Sequence, residues 1–184
     1  AVVCTSSLRR KSQLLALRPD LLIRDLRGNV PTRIEKQKNG DFDAIVLASA
    51  GLRRLGLYDS AAHGLSVGEV MPAVGQGAIG IEALTQDQNL RNLVSSLNND
   101  LSAQEVFAER AFSRYLNGTC QSAIGALAQT QGDNLMLKGI VASPDGSKII
   151  RKNTYGSLRD PEEVGNELGR LMRDAGADEL LKLS

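Results

Sequence analysis

The chain has 184 residues, 42% hydrophobic and 23% charged, which excludes a disordered tail, a collagen-like chain and a disulfide-dense miniprotein. Aromatic residues make up only 3% and there is no Trp, so the cores must be aliphatic, and the rings that single-stranded nucleic acids stack on are scarce. The net charge of +1 conceals an asymmetry: residues 1–56 hold eleven Lys/Arg against five Asp/Glu, and residues 57–184 hold eleven against sixteen. A basic first part joined to an acidic remainder points to two domains, the first facing something negative.

The first 56 residues repeat one pattern three times: a short apolar strand, a polar turn, then a helix. Val2-Val3 leads into Thr5-Ser6-Ser7 and a helix from Leu8 to Leu17, closed by Pro19. Leu21-Leu22-Ile23 leads through Arg27-Gly28-Asn29 to a helix opened by Pro31 and running to Lys38. Asp43 to Ala48 is a buried-strand run, followed by Gly51-Leu52-Arg53-Arg54-Leu55-Gly56. Strands alternating with helices predict βαβ units and a mostly parallel sheet.

In such a sheet the ligand cleft lies beyond the carboxyl ends of the strands. Arg9 and Arg10 follow the first strand, Arg27 and Arg33 the second, Arg53 and Arg54 the third. Thr5-Ser6-Ser7 sits at a helix N-terminus, where free amides and the dipole favour an anion. One such loop alone reads first as an ordinary N-cap beside solvated arginines, because such caps are common; three at one edge describe a site for an acidic ligand. No phosphate-loop or dinucleotide fingerprint is present, so the ligand expected is rich in carboxylate, or a phosphate without a nucleotide motif.

Met71 to Glu82 carries Gly75, Gly77 and Gly80 and suits either a hinge or a strand packed tightly on a neighbour. Ser102-Ala103-Gln104-Glu105 reads as a capping box opening a helix to Asn117-Gly118. Three strand-like runs follow, Ala123 to Ala128, Leu135 to Val141 and Lys148 to Asn153. Asp160-Pro161-Glu162-Glu163 then starts a last helix with Val164, Leu168, Leu171 and Met172 as its core stripe. This predicts a small α+β domain with a three-stranded antiparallel meander. Cys120 falls on the loop before the first of these strands. A free Cys is commonly an inert small hydrophobe. With His63 as the only histidine, neither a Cys/His metal cluster nor Cys-His hydrolysis can be assembled, whereas attachment of a prosthetic group needs no histidine. No apolar run approaches the ~20 residues of a membrane span and no leader is evident, so the expected setting is cytoplasmic. A chain without an initiating Met that opens inside a strand reads as a piece of a longer protein.

Five motifs in order, Thr5-Ser6-Ser7-Leu8-Arg9-Arg10, Leu26 to Arg33, Ala50 to Gly56, Ala73-Val74-Gly75-Gln76-Gly77 and Cys120, resemble the porphobilinogen deaminase (hydroxymethylbilane synthase) family over the whole chain. The resemblance implies a transferase of heme and tetrapyrrole biosynthesis. It joins four porphobilinogen units head to tail with release of ammonia, on a dipyrromethane primer held by a thioether. The anchor maps to Cys120. Thr5, Ser6, Ser7, Arg9 and Arg10 would hold the acid groups of that cofactor, with Gln76 and Gly77 lining the hinge beside it. Arg27, Arg33 and Arg54 would serve the incoming substrate and the elongating chain.

It also implies an α/β fold: a periplasmic-binding-protein-like βα domain over 1–72, a hinge and return segment over 73–99, and a cofactor-bearing α+β domain over 100–184. The return segment would belong to a first domain absent here, which would also carry the catalytic aspartate and a cofactor-binding lysine. Residues 1–184 alone are therefore expected to be inactive, and the full-length enzyme to be a monomer with no nucleic-acid or membrane partner and no metal. Two departures stand out: Cys4 where the family usually has glycine, and Ala123 where proline is common. A non-reactive binding module for an acidic small molecule would share the arginine cleft but have no use for a modified Cys120. A nucleic-acid binder would need base-stacking rings, and residues 1–41 have none.

Overall fold

The computed structural model describes residues 1–183. The first sheet is parallel, with strands β1 (Val2–Cys4), β2 (Leu22–Arg24) and β3 (Ala44–Ile45) in the order β2-β1-β3. Helices α1 (Leu8–Leu17) and α2 (Val30–Lys38) are the crossovers, and α3 (Ser49–Arg54) follows β3. Each of the first two helices starts on the cap its sequence announces: Ser7 Oγ accepts from Arg10 N, and Asn29 Oδ1 accepts from Thr32 N with Pro31 in the first turn. Strand order reverses at β1, so the crevice between β1 and β3 at their carboxyl ends is the switch point of the sheet. The run Asp43–Ala48 gives only a two-residue strand, shorter than its hydrophobicity suggests. Its residues are at best half-buried.

A second sheet is an antiparallel meander of β4 (Ile124–Gln131), β5 (Asn134–Ala142) and β6 (Ile149–Ser157). It is covered by α5 (Asp100–Tyr115) and α6 (Pro161–Asp174), with a short α7 (Ala177–Leu181) closing one end. The main core lies here: Phe112, Leu135, Leu137, Leu168 and Met172 are fully buried. Helix α6 closes on α5 because Gly165 has no side chain; a Cβ there would fall on the carbonyl oxygen of Ala108 and lie 2.6 Å from Ala111 Cβ. Such overpacking typically costs about 1–3 kcal/mol.

Some local expectations need correction. The N-cap of α5 is Asn99, whose Oδ1 accepts from Ser102 N at 2.9 Å, so Ser102 lies inside the helix and forms no capping box. Leu171 is only half-buried, because the buried stripe of α6 is Val164, Gly165, Leu168, Gly169 and Met172. Asp160 caps α6 without a side-chain bond. Two further helices, α4 (Gln88–Ser95), capped by the Asp87 side chain, and the five-residue α7, lie outside the expected elements. Residues 78–97 hold Ile79, Leu84, Leu93 and Leu97 at 68–80% exposure, so their apolar side chains meet little of the described chain.

Candidate functional site

The three loops at the carboxyl edge of the parallel sheet are brought together as their spacing predicts, and they are tied to one another through backbone. Ser6 Oγ donates to Leu26 O at 2.7 Å and accepts from Leu26 N at 3.2 Å, which joins the first loop to the second. Arg10 Nη1 donates to Val46 O at 3.1 Å and so joins the first loop to the third. Thr5 is buried, and its Oγ1 accepts from Ser7 N at 3.2 Å. With its hydroxyl spent on Leu26, Ser6 acts in this structure as a staple between loops.

The arginines differ in what they face. Arg9 is 6% exposed and turned inward: its guanidinium donates to the Met71 carbonyl oxygen and, at 3.3 Å, to Gln76 Oε1. Burial, then the charge of Arg10, brings its pKa down to about 10, so it is still a cation at neutral pH. Arg10 is half-buried, and its pKa is lowered by burial first and by the charge of Arg33 second. Arg33 Nε donates to Gly28 O at 2.8 Å. Arg27 and Arg54 are exposed, and Arg53 stacks 4.2 Å above the centre of the Tyr58 ring.

Among the described residues, ion pairs are made by Arg18, Arg114, Arg170 and Arg173. Within the described residues none of the six loop arginines has a carboxylate partner, although Arg10 and Arg33 repel each other. Placing like charges together without a counter-ion costs free energy that an incoming anion would recover.

Asp43 cannot be that counter-ion. Its Oδ2 accepts from Val2 N at 2.6 Å, at the opposite end of the sheet.

Cys120 is exposed at the tip of a turn that closes on itself: Ser122 N donates to Thr119 O at 3.1 Å and Gln121 N to Thr119 Oγ1 at 3.2 Å. A cavity of about 520 Å³ opens beside it, lined by Asn117, Thr119, Gln121, Ser122, Arg173 and Lys182 among others. Cys4, the other thiol, is buried and its pKa is pushed up by that burial. The two regions meet at the linker. Ala126 N donates to Pro72 O at 3.2 Å, and Gly125 lies so close that a Cβ would be 2.9 Å from that oxygen. The linker residue held by Arg9 thus adjoins the one that pairs with β4, a few residues beyond Cys120. Gln76 is exposed, its Oε1 also accepting from Ala73 N at 3.2 Å, and Gly77 has φ +102 in the same turn.

Two functional-looking residues escaped sequence reasoning. Gln13 is fully buried and holds both backbone polar groups of Met71. Glu109 is 5% exposed; Oε2 accepts from Gly75 N at 2.6 Å and Oε1 from Ala128 N at 2.8 Å. Burial raises its pKa, against the two amides that lower it. The signal was available in Arg9, Ser12 and Gln13, which form a polar stripe at i, i+3 and i+4 where an apolar one would be normal.

A family model described as porphobilinogen deaminase, dipyromethane cofactor binding domain, matches residues 1–92. A second, described as porphobilinogen deaminase, C-terminal domain, matches residues 103–174. Among the described residues no helix is long and apolar enough to cross a membrane, and no group of three or more His, Cys, Asp or Glu could hold a metal ion.

Proposed function

The chain belongs to the porphobilinogen deaminase family, and from that premise we propose that its arginine-lined edge and Cys120 form the primer and chain-binding side of the active site. The family's activity is a transferase step in tetrapyrrole biosynthesis, and its first matched domain binds a dipyrromethane cofactor. The reaction proposed here is the stepwise condensation of four porphobilinogen molecules to hydroxymethylbilane, releasing ammonia each time. The observation that carries this reading is the set of loop arginines with no carboxylate of their own, at the same sheet edge, linked through Pro72 to the strand that follows an exposed free thiol.

The residues fit the cofactor. The exposed Cys120 thiol is sterically free to carry a thioether, and Arg10 is half-desolvated next to Arg33, which suits it to a carboxylate. Bound there, dipyrromethane would supply the pyrrole end to which new units are joined. Arg10, with Thr5, Ser7 and the amides of the first turn of α1, holds the acid groups nearest the anchor. Arg27, Arg33 and Arg54 line the open end and take the acetate and propionate groups of substrate and growing chain. A guanidinium fork can grip a carboxylate with two parallel bonds, each charged bond contributing about 1.5–3 kcal/mol. Arg9 acts from behind, holding Met71 and Gln76 so that Gly77 and the linker keep their place.

We divide the chain at 1–72, 73–99 and 100–184, and read the first part as a periplasmic-binding-protein-like βα domain. The exposed apolar side chains of 78–97 support assigning that segment to another domain of the whole enzyme. The carboxylate that stabilises the cationic pyrrole is assigned outside residues 1–184, and these residues alone are proposed not to form tetrapyrrole. The full enzyme is proposed to be a cytoplasmic monomer.

The test is a pyrrole colour reaction on the enzyme and on Cys120→Ser. The variant should fold, give no pyrrole signal and form no uroporphyrin from porphobilinogen. A normal signal and turnover in the variant would overturn the assignment.

A further inference from the structure

The turn between β5 and β6 is held narrow by its own side chains. Asp145 Oδ1 accepts from Ser143 Oγ at 2.6 Å, from Ser147 Oγ at 2.8 Å and from Ser147 N at 3.1 Å. Gly146 N donates to Ser143 O at 3.0 Å, and Lys148 N donates to Ser143 Oγ at 3.0 Å. Gly146 forms the tip, with φ +71, and it is seated on α1. A Cβ at this position would fall on the carbonyl oxygen of Ser12, 2.8 Å from Ala16 N and 3.0 Å from Leu15 Cβ. The neighbouring hairpin of the same sheet turns at Gly132, with φ +60, and a Cβ there would meet nothing within 4 Å. Two tips share one backbone conformation; only one is docked.

Gly146 meets α1 chiefly at backbone atoms, the Ser12 carbonyl oxygen and Ala16 N, beside Leu15 Cβ. Ser12 and Gln13 are fully buried and Arg9 nearly so. Apolar contacts are non-directional and allow two surfaces to slide. Hydrogen bonds and backbone-to-backbone contacts hold only within narrow distances and angles. The α1 helix carries Arg9 and Arg10 in its first turn, and the sheet carrying Gly146 bears Cys120 just before β4. The Gln13–Met71 bonds and the Gly146 seat are therefore two separated attachments between the arginine loops and the unit that holds the thiol.

We infer that Gly146 is a positioning residue: its close seat on α1 sets the separation between Cys120 and the arginine-bearing loops. The catalytic consequence rests on the function proposed above; the seat itself does not.

The experiment measures that separation. Nitroxide labels are placed on Cys120 and on Lys38→Cys at the exposed end of α2, while Cys4 is buried and stays unlabelled. Pulsed EPR then compares the distance distribution in the otherwise unchanged chain, in Gly132→Ala and in Gly146→Ala. Both alanine variants force a side chain onto a left-handed backbone, so a general loss of stability is common to them. The unchanged chain and Gly132→Ala should share one distribution, and Gly146→Ala should show a displaced or second one. Should Gly146→Ala not fold, Asp145→Ala removes the acceptor that shapes the tip, adds no atoms against α1, and should displace the distribution likewise. A wild-type distribution in the folded variants at 145 and 146, or the same displacement in Gly132→Ala, would overturn the inference. In the complete enzyme Gly146→Ala should keep the pyrrole on Cys120 and lower kcat relative to Gly132→Ala. Absence of pyrrole from the unmodified enzyme would count against the function instead, leaving the distances to decide the positioning role.

Discussion

Gln13 holds Met71 by both of its backbone polar groups: Met71 N donates to Gln13 Oε1 at 2.7 Å, and Gln13 Nε2 donates to Met71 O at 3.2 Å. A side-chain amide thus does for the linker what a neighbouring strand would do. The residue is fully buried and Met71 is 5% exposed, so neither group has water as an alternative. Gln13→Leu keeps the volume and strands the Met71 amide. The expected loss is about 1–3 kcal/mol for a buried unsatisfied group. It should be read as a lower urea midpoint at unchanged slope. A midpoint equal to that of the unsubstituted chain would show that the linker does not need this grip.

Glu109 predicts a pH dependence. Its pKa is raised, chiefly by burial, so the native state binds its proton more readily than the unfolded chain does. Its contribution is full below the ordinary Glu value of ~4.3 and is lost as pH rises through the raised native value. The stability advantage over Glu109→Gln should therefore widen as pH falls through the raised native value toward ~4.3. Thermal unfolding of both proteins across this range checks it. A constant difference, or one that narrows, would mean that the amides of Gly75 and Ala128 outweigh burial.

The two thiols should separate cleanly in protein without attached pyrrole. Cys120 is exposed, whereas Cys4 is 1% exposed with its pKa raised by burial. A thiol-exchange reagent should titrate one group quickly in the native chain and the second only with denaturant. Two fast groups would place Cys4 at the surface and undo the packing of β1.

Lysine substitution separates gripping from mere charge. Arg10→Lys should reduce cofactor assembly, and Arg33→Lys or Arg54→Lys should slow elongation. An ammonium is a point charge and cannot form the two-pronged bond. Arg9→Lys should act mainly on stability, because that side chain faces Met71 and Gln76. Pyrrole content, turnover and unfolding midpoint measured on one set of variants distinguish these. Uniform mild effects would describe solvated arginines.

Sequence reading reached the elements where one local rule dominates. The helix starts after Thr5-Ser6-Ser7 and at Pro31, the parallel β2-β1-β3 sheet and the β4-β5-β6 meander follow from start signals, alternation and turn residues. It failed where long-range pairing decides. Asn99 displaced Ser102 as the cap because any of several polar residues ahead of α5 could take that place. The partners of Gln13 and Glu109, namely Met71, Gly75 and Ala128, arrive from elsewhere in the chain; the stripe of Arg9, Ser12 and Gln13 marks a buried polar face without naming what it meets. Ser6 looked like an anion ligand by composition, but its hydroxyl is taken by Leu26.

Peptide mapping by mass spectrometry shows whether Cys120 carries the primer. The chain is joined to its expected first domain, produced where porphobilinogen is available, and digested with trypsin alongside its Cys120→Ser counterpart. Two pyrrole units are expected on the peptide that contains Cys120 and none anywhere in the variant. A bare Cys120 thiol in an enzyme that turns over porphobilinogen, or the same pyrrole mass in Cys120→Ser, would contradict it.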